Sequence, residues 1–316
     1  MDFLVSLLNS MPGAVAQGMI WGVMAIGVYI TYRILDVADL TVDGSLGTGG
    51  AVCVILTING APIWLALLCA ILAGMAAGFV TGFFHTFCGI PAILAGILTQ
   101  LALYSVNLRI MGFGTGGGKA NLPVSVDKYD LLVSARFVRN AAINNPLVVL
   151  AIVCLVVIVL LYWFFGTEMG CSLRATGANQ NMARAQGINT NVAKVLGLMI
   201  SNGLVALAGA LLSQYQGFSD INMGRGAIVI GLAAVIIGEV IFDKFFHNFG
   251  LKLLAAVFGA IIYYIVIQIV LRMGLSTDDL KLLTALVVAL FLAVPYLKTK
   301  HFSGRSKSVK GGSGNA

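Results

Sequence analysis

The sequence predicts an all-α, polytopic membrane protein with about nine spans (roughly eight to ten) in two inverted repeats built on discontinuous, Gly-rich helices. Three observations carry this. The chain of 316 residues is 59% hydrophobic and 10% charged, against about 25% charged in a soluble domain. Its mean hydropathy is +0.98, so water alone cannot solvate its surface. Second, the apolar residues form continuous blocks of roughly 17–25 residues, the length of a membrane helix, and not the alternating ~10-residue segments of a barrel. Third, a polar segment running into glycine occurs once in each half, as Asp39-Leu40-Thr41-Val42-Asp43-Gly44 and as Asp220-Ile221-Asn222-Met223-Gly224-Arg225-Gly226.

Taken in order, residues 2–10 place Phe3, Leu4, Leu7 and Leu8 on one helical face, which predicts a short interfacial helix. The first span covers about 13–32. The polar stretch YRILDVADLTVDGS follows, with Asp36, Asp39 and Asp43, and leads into a second span over about 44–59 that holds Gly44, Gly47, Gly49 and Gly50. Spans three and four cover about 62–83 and 91–111. Residues 112–144 form the longest non-spanning region, in which DKYDLLVSARFV has the pattern of a short amphipathic helix. The fifth span, about 145–165, ends at the polar loop 166–191, GTEMGCSLRATGANQNMARAQGINTN. Such a loop serves either as a solvated linker or as a docking element for a soluble partner. Spans six to nine cover about 193–214, 226–242, 251–271 and 282–297, and a basic, flexible tail occupies 298–316.

Orientation follows from Lys and Arg. Lys298, Lys300, Arg305, Lys307 and Lys310 mark the tail as cytoplasmic. Counting back places loop 166–191 inside and both the N-terminus and 112–144 outside, against the pull of Lys119, Lys128, Arg136 and Arg139. Residues 1–297 are then one transmembrane domain, with repeat one over about 13–111 and repeat two over about 193–297 running in opposite directions. Paired short, Gly-interrupted helices at matching positions point to a transport pathway. The start MDFLVSLLNSMPG lacks a basic n-region and a small-residue cleavage site, so no cleavable signal peptide is expected.

A charge at membrane depth costs about 3 kcal/mol on insertion scales, so Asp39, Asp43, Asp220, Arg225 and Glu239 each need a reason. Asp43 and Arg225 read as helix-end residues touching headgroups or water. Asp39 and Asp220, with Thr41 and Asn222 beside them, are expected near the two ends of one central pathway. Glu239 reads as paired, as facing a wet cavity or as marking an inner gate. Of the polar residues inside spans, Gln100 and Asn202 are assigned to the pathway, while Asn107, Gln214 and Gln268 serve equally well as interhelical glue.

Other chemistries are excluded. Gly112-Phe113-Gly114-Thr115-Gly116-Gly117 matches a dinucleotide fingerprint only in form, since it follows a membrane helix and not a strand. Gly118-Lys119 is no phosphate loop, because Phe113 holds the upstream glycine position and Ala120 replaces the Ser or Thr. Cys53, Cys69, Cys88, Cys154 and Cys171 lack metal or redox spacing, and His85, His247 and His301 are scattered. No metal, no cofactor and no nucleic-acid partner is expected, and no nucleophile–base set supports an intramembrane enzyme.

The block from Gly170 to Gly226 resembles the permease family of branched-chain amino acid and simple-sugar ABC importers. The likeness rests on Gly170, Arg174, Ala175, Gly177, Asn179, Ala183, Gly187 and Ile188, then on Ser201, Asn202, Gly203, Ala206, Ala208 and Gly209. VADLTVDGSLGTGG is similar to a second family segment, with Ala38 in place of Ile and an extra Asp43. The wording from 202 to 239 resembles that of tryptophan/tyrosine uptake permeases. The resemblance implies a type II importer permease in the bacterial inner membrane, and a second copy of the chain in a homodimer. It also implies two ATP-binding-cassette ATPase subunits inside and an extracytoplasmic substrate-binding protein or lipoprotein. ATP hydrolysis then belongs to a partner chain. A short helix around 177–184 would dock on the ATPase, with Arg174, Gly177, Ala178, Asn179, Gln180, Asn181 and Arg184 making the contact. An amino acid, with aromatic ones favoured, is the implied solute. The same machinery also suits a sugar or nucleoside, and an ion-coupled transporter using Asp39, Asp220 or Glu239 is the reading from another class.

Overall fold

Lipid offers no partner to a backbone N–H, so each span closes its own hydrogen bonds as a helix. The computed structural model describes residues 2–272 apart from 115–116, 126–127, 130, 138–144, 243–245 and 247, and beyond them 282, 285–286, 288–289 and 293. α1 runs Asp2–Tyr29 and continues as a π-helical turn, Ile30–Ile34. α2 is Val42–Ile58, α3 Ile63–Thr86, α4 Ala92–Met111 and α5 Pro146–Gly166. Two short polar helices follow, α6 (Glu168–Ala178) and α7 (Gln180–Ala185), and then α8 (Thr190–Gln216), α9 (Ala227–Phe242) and α10 (Phe249–Arg272).

Among the described residues, six helices are long and apolar enough to cross a membrane, and α2 and α9 are shorter apolar helices. The predicted spans up to about 271 therefore each coincide with a helix. The ninth span and the basic tail lie outside the described residues, save for isolated positions. Two expectations are corrected. Residues 2–10 are the first turns of α1 and not a separate interfacial helix, because the single bond lost at Pro12 does not end the helix. The described part of DKYDLLVSARFV forms only a 3-10 turn, Ala135–Phe137. A small addition is a two-stranded antiparallel ribbon, β1 (Asn121–Pro123) with β2 (Phe218–Asp220), in which Asn121 faces Asp220.

Burial separates core helices from the rim. In α1 and α8, 83% and 78% of the apolar window is buried, against 22–44% in the other long spans. α8 packs on α3 and α2, while α1 packs on α10 and α9, and α1 and α8 touch each other. Exchanging α1 with α8, α2 with α9 and α3 with α10 maps these contacts onto one another. Small residues let the backbones approach. Gly18 lies on Ile261 and Gly22 on Val257, so α10 runs antiparallel to α1; Gly74 lies on Asn202 and Gly78 on Leu198, so α3 runs antiparallel to α8.

The two short helices begin inside the bundle. Gly44 packs on Gln100 and Leu103 of α4, and Gly224 packs on the backbone of Asp43, so α2 and α9 start side by side. They then diverge. The end of α2 reaches the ribbon side, where the Tyr129 hydroxyl donates to the Ile58 carbonyl at 3.4 Å. The end of α9 reaches the α6–α7 side, where Glu239 pairs with Arg33 at 3.0 Å.

Candidate functional site

Two sets of residues stand out, one on the α6–α7 face and one at the junction of the short helices. On the first, three polar caps set the backbone. The Thr167 hydroxyl accepts from Gly170 N at the start of α6. Asn179 Oδ1 accepts from Met182 N at 3.1 Å to start α7, and Asn189 Oδ1 accepts from Asn191 N and Val192 N to start α8. Capping holds Asn179 extended, at φ −159° and ψ 104°. The single short helix expected around 177–184 is therefore two: Gly177 and Ala178 end α6, while Gln180, Asn181 and Arg184 belong to α7.

The face combines exposed side chains with buried anchors. Ala178, Asn179, Asn181, Arg184 and Ala185 are exposed, Gln180 is half-buried, and Met182 is 60% exposed. Arg184 Nε donates to Thr190 Oγ1 at 2.8 Å, and Arg174 donates to the Phe165 carbonyl with its guanidinium 5.3 Å from the Phe249 ring centroid. Each arginine thus spends part of its donor set inside the chain. Gly177 lies against Ile34 and Leu35, where a Cβ would strike the Ile34 carbonyl. Its close approach is to the end of α1.

Beyond Leu35 the chain turns back into the bundle. Asp36 takes a left-handed φ of 53°, and the segment enters a buried polar cluster. Asp39 Oδ1 accepts from Thr41 N at 2.9 Å, and Asp39 Oδ2 accepts from Asn202 Nδ2 at 2.7 Å. Ser45 Oγ donates to Asn202 Oδ1 at 2.6 Å, and the Thr41 and Thr81 hydroxyls share a hydrogen bond of 2.7 Å. Asp39, Thr41, Ser45, Thr81 and Asn202 are all buried. The expected pathway residues Asp39, Thr41 and Asn202 are therefore brought together, as a satisfied network that ties α2, α3 and α8.

The cavity lies next to that network. Asp43, Gly44, Gln100, Leu101, Tyr104, Asn107, Ile221 and Arg225 line about 270 Å³ between α2, α4 and the approach to α9. Asp43 caps the start of α9: Oδ2 accepts from Gly226 N at 2.9 Å and Oδ1 from Ile228 N at 3.0 Å. The Arg225 guanidinium lies 6.0 Å from the Tyr104 ring centroid. Gln100 is the expected pathway residue that lines this space. Asp220 repeats the local turn of Asp39, its Oδ1 accepting from Asn222 N at 2.7 Å, but sits at the ribbon end with Asn222 exposed. Glu239 lies apart from both, in its ion pair.

Asp43 and Arg225 sit at helix starts, as expected, with Arg225 exposed; both also line the cavity, and Asp43 holds a helix start 183 residues further on. Tyr104 carried no sequence signal beyond a polar atom within an apolar run, whereas Asn107, legible equally as glue or as pathway lining, lines the cavity. Among the described residues no group of His, Cys, Asp and Glu could hold a metal.

Comparison with known proteins places this architecture. Residues 10–295 match the family described as branched-chain amino acid transport system / permease component. The chain is 41% identical over 286 residues to the tyrosine transport system permease protein of Clostridioides difficile, covering 90% of this chain and 91% of that protein. It is 24% identical to a fructose import permease protein of Bifidobacterium longum, covering 97% of this chain and 85% of the relative. In fold it is similar to PsaBC from Streptococcus pneumoniae in complex with Fab, with a TM-score of 0.53 at 15% identity, covering 94% of this chain and 99% of that one. The chain belongs to the family of branched-chain amino acid transport permeases, and is a multi-pass permease component of the ABC-importer class in the bacterial inner membrane.

Proposed function

We propose that this permease carries an aromatic amino acid inward, powered by ATP that separate subunits hydrolyse at the α6–α7 face. The observation that carries the reading is a continuous mechanical connection. Exposed Asn181, Met182 and Arg184 sit on α7, α6 rests through Gly177 on the last turn of α1, and α1 leads through Asp36 to the junction where α2 and α9 begin. A push on α6 and α7 is thereby delivered to mid-bundle. Two copies of the permease, two ATPase subunits and an external binding protein or lipoprotein at the ribbon side complete the machine. The exchange symmetry of the helix contacts supports two inverted halves, with 166–191 as the coupling segment, 112–144 on the outer side and 298–316 as a cytoplasmic tail.

The substrate class rests on the 41% identical relative named for tyrosine, against 24% for the one named for fructose. An ion-coupled mechanism gains no support from the comparisons, and Asp39, Asp220 and Glu239 each already have a partner in Asn202, Asn222 N and Arg33. The test is ATP hydrolysis by the co-reconstituted ATPase with Met182→Asp, a surface change that leaves the fold alone. Loss of permease-dependent stimulation is expected, and full stimulation would remove α7 from the docking contact.

A further inference from the structure

The junction cavity has the chemistry of a specific site. Its lining holds one carboxylate, Asp43, and one guanidinium, Arg225, and Arg225 makes no ion pair with any described residue. Opposite charges brought into one cavity without joining each other leave room for a ligand that carries both. Asp43 accepts from Gly226 N and Ile228 N, and Ala227 N also interacts with its carboxylate, which leaves part of its roughly four acceptor positions for a ligand. Asn107 supplies the independent observation. It is 2% exposed and lines the cavity, and its Oδ1 is buried with no hydrogen-bond partner, while its Nδ2 donates to the Gly44 carbonyl. A buried acceptor without a donor is rare in folded proteins and asks for one from outside. An ammonium is such a donor. Tyr104 adds a ring whose centroid lies 6.0 Å from the Arg225 guanidinium, and Leu101 and Ile221 add apolar wall.

We propose that this cavity binds the zwitterionic head and ring of an aromatic α-amino acid in transit: Arg225 takes the carboxylate, Asp43 and Asn107 Oδ1 take the ammonium, and Tyr104 faces the side chain. A volume of about 270 Å³ suits a solute of this size, being below the roughly 300–1,000 Å³ of pockets for drug-sized ligands. Because the site lies where α2 and α9 start, a ligand that bridges Asp43 and Arg225 joins the two halves of the molecule. This deepens the importer reading and rests on it.

The test is uptake of radiolabelled tyrosine into proteoliposomes carrying the whole complex of permease, ATPase and binding protein. Arg225→Gln is expected to lower the rate by about tenfold or more, the worth of one charge-assisted contact, with partial recovery in Arg225→Lys. Tyr104→Leu is expected to lower tyrosine uptake with ATP hydrolysis retained. Asn107→Leu removes the unpartnered oxygen and is expected to keep the thermal midpoint at or above that of the unaltered chain while cutting uptake, which separates binding from folding. Tyrosine uptake within about twofold of the unaltered chain in both Arg225→Gln and Asn107→Leu overturns the site and leaves the importer reading standing. An unaltered complex that takes up fructose but no amino acid on ATP overturns the amino-acid assignment and the site together.

Discussion

Asp39 and Asn202 show what one pair of side chains does in this fold. The carboxylate is 2% exposed and is satisfied by Thr41 N and by Asn202 Nδ2. Replacing Asn202 with Leu strips a buried carboxylate of a partner and also orphans Ser45 Oγ, so we expect a loss of about 1.5–3 kcal/mol. Asp39→Asn, which keeps the shape and can still accept from Thr41 N, is expected to lose less. Thermal unfolding of the two variants in detergent orders them; the reverse order would remove the network from the account. The Arg33–Glu239 pair is a different case, with side chains 61% and 31% exposed. Exposed pairs contribute about 0–1 kcal/mol, so Glu239→Gln is expected to leave the unfolding midpoint nearly unchanged, and a large drop would show that the pair is a structural lock. At this scale the sequence was legible where the polar residue sat deep in a span, as with Asn202. It was not legible for Asp43, whose partners Gly226 and Ile228 lie far along the chain and look, locally, like any helix start.

The elements divide by how they are encoded. Long apolar runs announce their helices, because lipid leaves the backbone no alternative, and α2 and α9 were readable as short, Gly-rich spans beginning after a polar segment. β1 and β2 were not, since three-residue strands have no period to detect and their pairing, Asn121 with Asp220, joins distant segments. The break between α6 and α7 was also missed. Helix-favouring Ala and Gln surround Asn179, and only its capping role ends one helix and starts the next. Asn179→Ala is therefore expected to cost about 1 kcal/mol of local stability and to fuse or fray α7. Its measurable consequence is a fall in ATPase stimulation, with the unfolding midpoint of the membrane bundle little changed. Asn179→Asp keeps the acceptor and should restore stimulation; failure of that rescue would assign the loss to a direct contact and not to the cap.

For the molecule as a whole, the contact pattern makes a prediction about sidedness. The ends that gather on one side are those of α1, α5 and α9, the starts of α8 and α10, and α6 with α7; the ribbon and the end of α2 gather on the other. Packing fixes which helix ends share a side, while which side is cytoplasmic rests on the weak bias of Lys and Arg. Two native thiols report on it. Cys88, in the turn after α3, and Cys171, on α6, are both exposed, whereas Cys53 and Cys154 are buried. α3 runs antiparallel to α8, so its end and Cys88 lie on the same side as the start of α8 and as Cys171. If the α6–α7 side meets cytoplasmic ATPase subunits, a membrane-impermeant maleimide should label both thiols in inside-out vesicles and neither in right-side-out cells. A cysteine placed at Phe218 of the ribbon, in a chain with the native thiols replaced, should label in the opposite preparation. Labelling of Cys88 and Cys171 from opposite sides would contradict the helix directions themselves, because no single orientation of the bundle could expose them so. Labelling of both from outside would leave the directions intact and invert the molecule, taking the proposed ATPase face out of reach of cytoplasmic ATP.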